Sequence, residues 1–152
     1  MPTVTPFLWF DNQAEEAMNF YGSVFPRFKV HSVNRAGGRV MVAVFEVEGQ
    51  KVMALNGGPH HKLTEAFSFF VACETQAEVD EYWEKLVAGG GYHDQCGWLK
   101  DRFGLSWQII PNALMTLMGG GGDPERANRV MQAMLKMKKI DVAQLQAAYD
   151  AQ

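Results

Sequence analysis

One local plan occurs twice in this chain, and that duplication limits the fold more than any other feature. VTPFLWF at residues 4–10 is a strand candidate. Asn12 and Glu15 follow at N-cap and N3 spacing, which predicts a helix start. Ala14, Ala17, Met18, Tyr21 and Phe25 then fall on one face of a helical period, and Pro26 ends it. Three strand-like runs come next, FKVHSV, RVMVAVFEV and KVMALN, punctuated by Gly37-Gly38 and Glu48-Gly49. The second half repeats the order. AFSFFVACE (66–74) is β-rich, Thr75 and Glu78 form a capping box, and Val79, Tyr82, Trp83 and Leu86 share a helix face closed by Gly89-Gly90-Gly91. WLKD and LSWQII make a hairpin around Arg102-Phe103-Gly104, stopped by Pro111. Gln13-Ala14-Glu15 recurs as Gln76-Ala77-Glu78 and Phe20-Tyr21 as Tyr82-Trp83, one position out of step, as an internal duplication would leave them.

The sequence after residue 111 departs from this plan. ALMTLM leads to Gly119-Gly120-Gly121-Gly122, then Asp123-Pro124, an N-cap with Pro at N1. Ala127, Val130, Met131, Met134 and Met137 keep helical spacing, and a second helix capped by Asp141 carries Val142, Leu145 and Tyr149. The organisation expected is therefore a first βαβββ module over 1–64, a second over 65–111, and a helical extension over 112–152, one structural domain in all. The Met-rich stripe must cover apolar surface of its own chain or of a partner, and we expect a homodimer.

At 152 residues and 47% hydrophobic content the chain can bury a sizeable core. Fourteen basic against 17 acidic residues, with no basic run interleaved with aromatics, argue against nucleic-acid binding. No run approaches the ~20 apolar residues of a membrane span, and MPTVTPFLWFDNQ is not a secretory leader, so a cytoplasmic protein is expected. Cys73 and Cys96 then read as free thiols; neither sits in a CxxC motif.

The duplicated modules, together with FLWFDNQAEEAMNFY, CGWLKDRFGLSWQIIP and RVMQAMLKMKKIDVAQLQAAY, resemble the PhnB-like branch of the vicinal oxygen chelate superfamily of glyoxalases, bleomycin-resistance proteins and extradiol dioxygenases. Members of this branch often carry the label 3-demethylubiquinone-9 3-methyltransferase. The resemblance implies an α+β fold in which two βαβββ modules form a curved eight-stranded sheet around a cleft, with the C-terminal helices added. It also implies where a metal would sit: His or Glu on the first and last strands of each module, at positions matched here by about Thr5, Asn56, Ala66 and Gln108. Hydroxyl, amide and methyl groups are poor substitutes for imidazole and carboxylate donors, so no metal is expected.

Strand alternation names a ligand-binding face independently. If Gln108 points into the cleft so does Ser106, and the same parity brings in Thr5, Phe7, Trp9, Ser68 and Phe70; Asn56 joins them from the resemblance. Neutral hydrogen-bonding groups among aromatic rings suit a small, largely uncharged organic ligand, aromatic ones included. The plainer alternative is that Gln108 and Ser106 satisfy each other in a filled core.

Other groups carry less. His60, His61 and His93 lie in loops, Cys96 has no base placed beside it by sequence, and the four-glycine run lacks the Lys-Ser/Thr of a phosphate loop. No catalytic residue is assigned, and no motif implies a cofactor. The reading is a metal-independent small-molecule-binding protein or an enzyme of unassigned reaction. Two alternatives stand beside it: a methyltransferase acting on a quinone-like ring, for which the GxGxG turn of a methyl-donor site is missing, and a metal-dependent glyoxalase or dioxygenase using other ligands.

Overall fold

A computed structural model describes residues 1–152, which divide into two compact units, 1–64 and 65–152. In the first unit the order is β1 (Phe7–Phe10), α1 (Ala14–Val24), β2 (Phe28–Ala36), β3 (Arg39–Val47) and β4 (Gln50–Asn56). The strands hydrogen-bond in the order β1-β4-β3-β2, with β1 parallel to β4 and the other pairs antiparallel. All five residues expected on the inner face of the helix are buried. They pack on Leu8, Phe10, Ala43, Phe45, Val52 and Ala54, which alternation places on one side of the sheet.

The start of α1 differs from expectation. Its N-cap is Gln13, whose side chain makes no capping bond. The Ala14 N–H instead donates to Asn56 Oδ1 at 2.8 Å, while Asn56 Nδ2 donates to the Val40 carbonyl at 2.9 Å. A residue 42 positions away thus satisfies one of the orphan donors that a local Asx cap would have taken.

The second unit runs β5 (Ser68–Cys73), α2 (Gln76–Lys85), β6 (Tyr92–His93), β7 (Trp98–Lys100) and β8 (Ser106–Pro111). Its sheet order, β5-β8-β7-β6, repeats the first. The eight strands are therefore two four-stranded βαβββ sheets, an α+β fold with helices at the C-terminus. The Thr75 cap forms as expected, its Oγ1 accepting from the Glu78 N–H, and Glu78 Oε1 reaches back to the Glu74 N–H. Val79, Tyr82, Trp83 and Leu86 bury against Leu99, Trp107, Ile109 and Cys73, all on one face of the sheet.

Three helices complete this unit: α3 (Asn112–Met118), α4 (Pro124–Leu135) and α5 (Val142–Asp150). Asp123 and Asp141 cap α4 and α5 as the sequence predicts. Leu114, Leu117, Val130, Met137, Ile140 and Leu145 form a core cluster with Ile110, the end of β8. Gly97 makes the docking possible: it has φ +83°, and a Cβ there would lie 2.7 Å from Ile110 Cδ1 and 3.0 Å from Ile140 Cγ1. The Cys96 and Gly97 N–H groups donate to the Met137 and Lys138 carbonyls, and Gln76 bonds Ile140 O and Val142 N through its two amide atoms. Met137 is buried and Met134 packs on the cluster, leaving Met131 exposed. The Met stripe is thus largely spent on its own chain, while Met115, Met131 and Leu135 of the same extension stay exposed.

Candidate functional site

The side of each sheet away from its helix is where the sequence places a ligand. In the second unit the ladder fixes its content. Phe70, Gln108 and Trp98 lie on one row across β5, β8 and β7. Ser68, Ser106, Lys100 and Tyr92 form the next row, across all four strands. Paired residues share a face, so these seven side chains stand on the side opposite Trp107 and Ile109. Phe70 and Tyr92, on the two edge strands β5 and β6, remain 51% and 54% exposed.

Polar groups on this face are only partly committed. Gln108 Nε2 donates to Ser68 Oγ at 2.9 Å, so its partner is Ser68 and not the Ser106 considered from sequence. Ser106 is 2% exposed, and its hydroxyl makes no hydrogen bond in the structure. Lys100 Nζ lies 2.9 Å from Glu65 Oε2. That hydrogen bond holds the Glu65 carboxyl below its ordinary pKa and, with Tyr92 nearby, the Lys100 ammonium above its own. A pocket of about 110 Å³ opens beside them, lined by Glu65, Tyr92, Asp94, Trp98, Leu99, Lys100 and Ser106.

In the first unit the corresponding side carries Phe7 and Trp9 with Met53, Leu55, Val42 and Val44, an almost wholly apolar set. Trp9 is fixed: its Nε1 donates to Gly58 O at 2.9 Å, a Cβ on Gly57 would fall 2.4 Å from the indole, and the His61 ring meets it edge-on at 4.8 Å. A separate pocket of about 300 Å³ sits where β1 and β4 end, between Asp11, Arg39, Asn56 and Gly58.

Several expected site residues fall elsewhere. Asn56 pairs with Phe10, on the helix side of its sheet, and both ends of its amide are occupied as a cap; it is not on the Phe7/Trp9 side. Thr5 and Ala66 precede β1 and β5, so strand parity does not orient them. Thr5 also lies five residues before the rung of Asn56, roughly 16 Å along a strand at ~3.3 Å per residue, too far to share an ion. Within the first unit the two matched positions, Thr5 and Asn56, thus bring neither imidazole or carboxylate donors nor a common point. No three His, Cys, Asp or Glu side chains group so as to hold a metal ion. His93 is packed against Trp83 at 4.2 Å with its Nε2 on the Trp83 carbonyl, and His60 and His61 are exposed.

Sequence reasoning missed Trp98, Lys100, Tyr92 and Glu65. The first two sit at odd spacing from a hairpin turn whose register could have been counted; Glu65 enters from a loop and left no signal.

Comparison with known proteins fits this architecture. Residues 2–110 match the family described as 3-demethylubiquinone-9 3-methyltransferase. The chain belongs to that family. Among solved structures, a PhnB protein from Bacillus cereus is 33% identical, with a TM-score of 0.67 over 72% of this chain and 99% of that one. A protein from Pseudomonas aeruginosa is 20% identical (TM-score 0.59, 73% and 98% covered). A glyoxalase-related enzyme from Fulvimarina pelagi, 19% identical (TM-score 0.51, 75% and 91% covered), shares the fold. No curated protein matches the chain. Helices α3–α5 lie beyond the residues matched to the family. No helix is long and apolar enough to cross a membrane.

Proposed function

We propose that this family member binds a small organic molecule carrying an unsaturated or aromatic ring on the face of its second sheet that lies opposite α2, beside the strand end where Ile110 meets the C-terminal helices. One observation supports the reading above others: Phe70, Trp98 and Tyr92 stand on that face beside Gln108, Ser68 and an unbonded Ser106 hydroxyl, although the opposite face is sealed by α2. Exposed rings next to uncommitted hydrogen-bonding groups are the usual lining of a ligand site. We assign the chain to the vicinal oxygen chelate superfamily as a member lacking the metal-binding set, because threonine, alanine and two amides stand at the matched positions.

The family description supplies the second reading, methyl transfer to a ring. A bound ring beside Lys100 would suit such a substrate, but the chain has no glycine-rich methyl-donor turn. The deciding experiment is mass spectrometry of small molecules released from the purified protein, with S-adenosylmethionine titrated in parallel. A released cyclic compound supports binding, and saturable methyl-donor uptake would move the reading to the transferase. Failure of any ring compound to perturb Trp98 at millimolar concentration would overturn the proposal.

A further inference from the structure

The geometry points to a built-in competitor at this face: the Glu65 carboxylate occupies, on Lys100, the place of a ligand's single negative oxygen group. The inference rests on the binding reading above and names the class of ligand, a ring bearing one carboxylate, phenolate or enolate.

Four observations converge. Lys100 is held in the sheet, opposite Ser106 and Tyr92 on neighbouring strands, with its side chain only 22% exposed. Glu65 belongs to the loop before β5 and its side chain is 73% exposed, so it can swing away without disturbing a core. The Ser106 hydroxyl, nearly buried on the wall of the same pocket, has no partner and can donate to an oxygen placed beside Lys100. Trp98 and Phe70 on the adjacent row offer flat surface for a ring. An exposed ion pair is weak, so exchanging Glu65 for an incoming carboxylate costs little.

The pocket's other charge limits what enters. Asp94 lines it too, with one carboxylate oxygen already taken by the Gln95 N–H at 2.8 Å. With Glu65 moved away, a singly charged ligand restores the balance that Glu65 gave beside Lys100 and Asp94, whereas a doubly charged phosphate would add an excess negative charge next to Asp94.

The test titrates the full chain with benzoate and with its neutral amide, benzamide, following the Trp98 indole N–H by NMR in wild type, Glu65→Gln and Lys100→Met. We expect Glu65→Gln to tighten benzoate by about two- to fivefold, the range an exposed ion pair can withhold, and to leave benzamide unchanged. Lys100→Met should remove the preference for benzoate over benzamide while thermal unfolding stays close to wild type. If the two compounds bind alike and neither variant separates them, the competitor is refuted and ring binding stands. If neither compound moves Trp98 in any variant, both the inference and the binding reading fall.

Discussion

Asp101 is the residue on which the second hairpin turns, and replacing it gives a sharp test of how this sheet is held. Its side chain is buried, with Oδ1 accepting from the Phe103 and Leu105 N–H groups at 2.9 and 3.0 Å and Oδ2 from Trp107 Nε1 at 2.9 Å. Three donors thus converge on one carboxylate. Asp101→Ala strands them, and at about 1–3 kcal/mol for each buried donor left unpaired the loss should reach about 3–5 kcal/mol. Asp101→Asn is more informative. Its carbonyl can keep both backbone donors, but the NH2 group then faces the indole N–H, donor against donor, at a cost of about 2 kcal/mol. Trp107→Phe removes the opposing donor, so the Asn substitution should be milder in that background by about 1–2 kcal/mol. Urea unfolding followed by far-UV circular dichroism measures all four proteins of the cycle without relying on tryptophan emission. Additivity of the two substitutions within about 0.5 kcal/mol would refute the claim that the indole bond is what Asp101 is buried to make.

Gln108→Ala should cost under about 1 kcal/mol in the same assay, because Gln108 is only half-buried and gives up one bond, to Ser68. Asn56→Ala, by contrast, uncaps α1 and frees the Val40 carbonyl, and should cost about 1–2 kcal/mol. Native protein should react with one equivalent of a thiol reagent at neutral pH, at half-buried Cys96, and with two after denaturation, since Cys73 is buried and its thiol is pushed up to about 11 by that burial and then by Glu78. The same shift carries a sign: stability due to the neutral Cys73 thiol is complete below pH 9.0, its reference value, and lost as pH rises towards 11, so alkaline unfolding should be shallower in Cys73→Ala. Deletion from Gly119 onward removes Val130, Met137, Ile140 and Leu145 from the cluster around Ile110, and should lower the melting temperature or cause aggregation.

Much of the fold could be read from the chain because its signals are local. The helix stripes Ala14/Ala17/Met18/Tyr21 and Val79/Tyr82/Trp83/Leu86 specify buried faces through a period of 3.6, and Thr75, Asp123 and Asp141 start helices through bonds two or three residues long. The alternation in LSWQII is likewise enough by itself to put Gln108 and Trp107 on opposite sides of their strand. What sequence could not decide lies in long-range registration. Asn56 carries a polar side chain that reads equally as ligand or cap, and only the parallel pairing of β1 with β4, which sets it against Phe10, turns it to the helix. Thr5 and Ala66 fall outside their strands because the ladders begin at Phe7 and Ser68. Lys100 acquires its meaning from Glu65, 35 positions earlier in a loop with no periodicity to read. Periodicity fixes which face a residue takes along its own element, but which residues meet across elements is a property of closure, and that is settled only when the sheet and its loops are assembled.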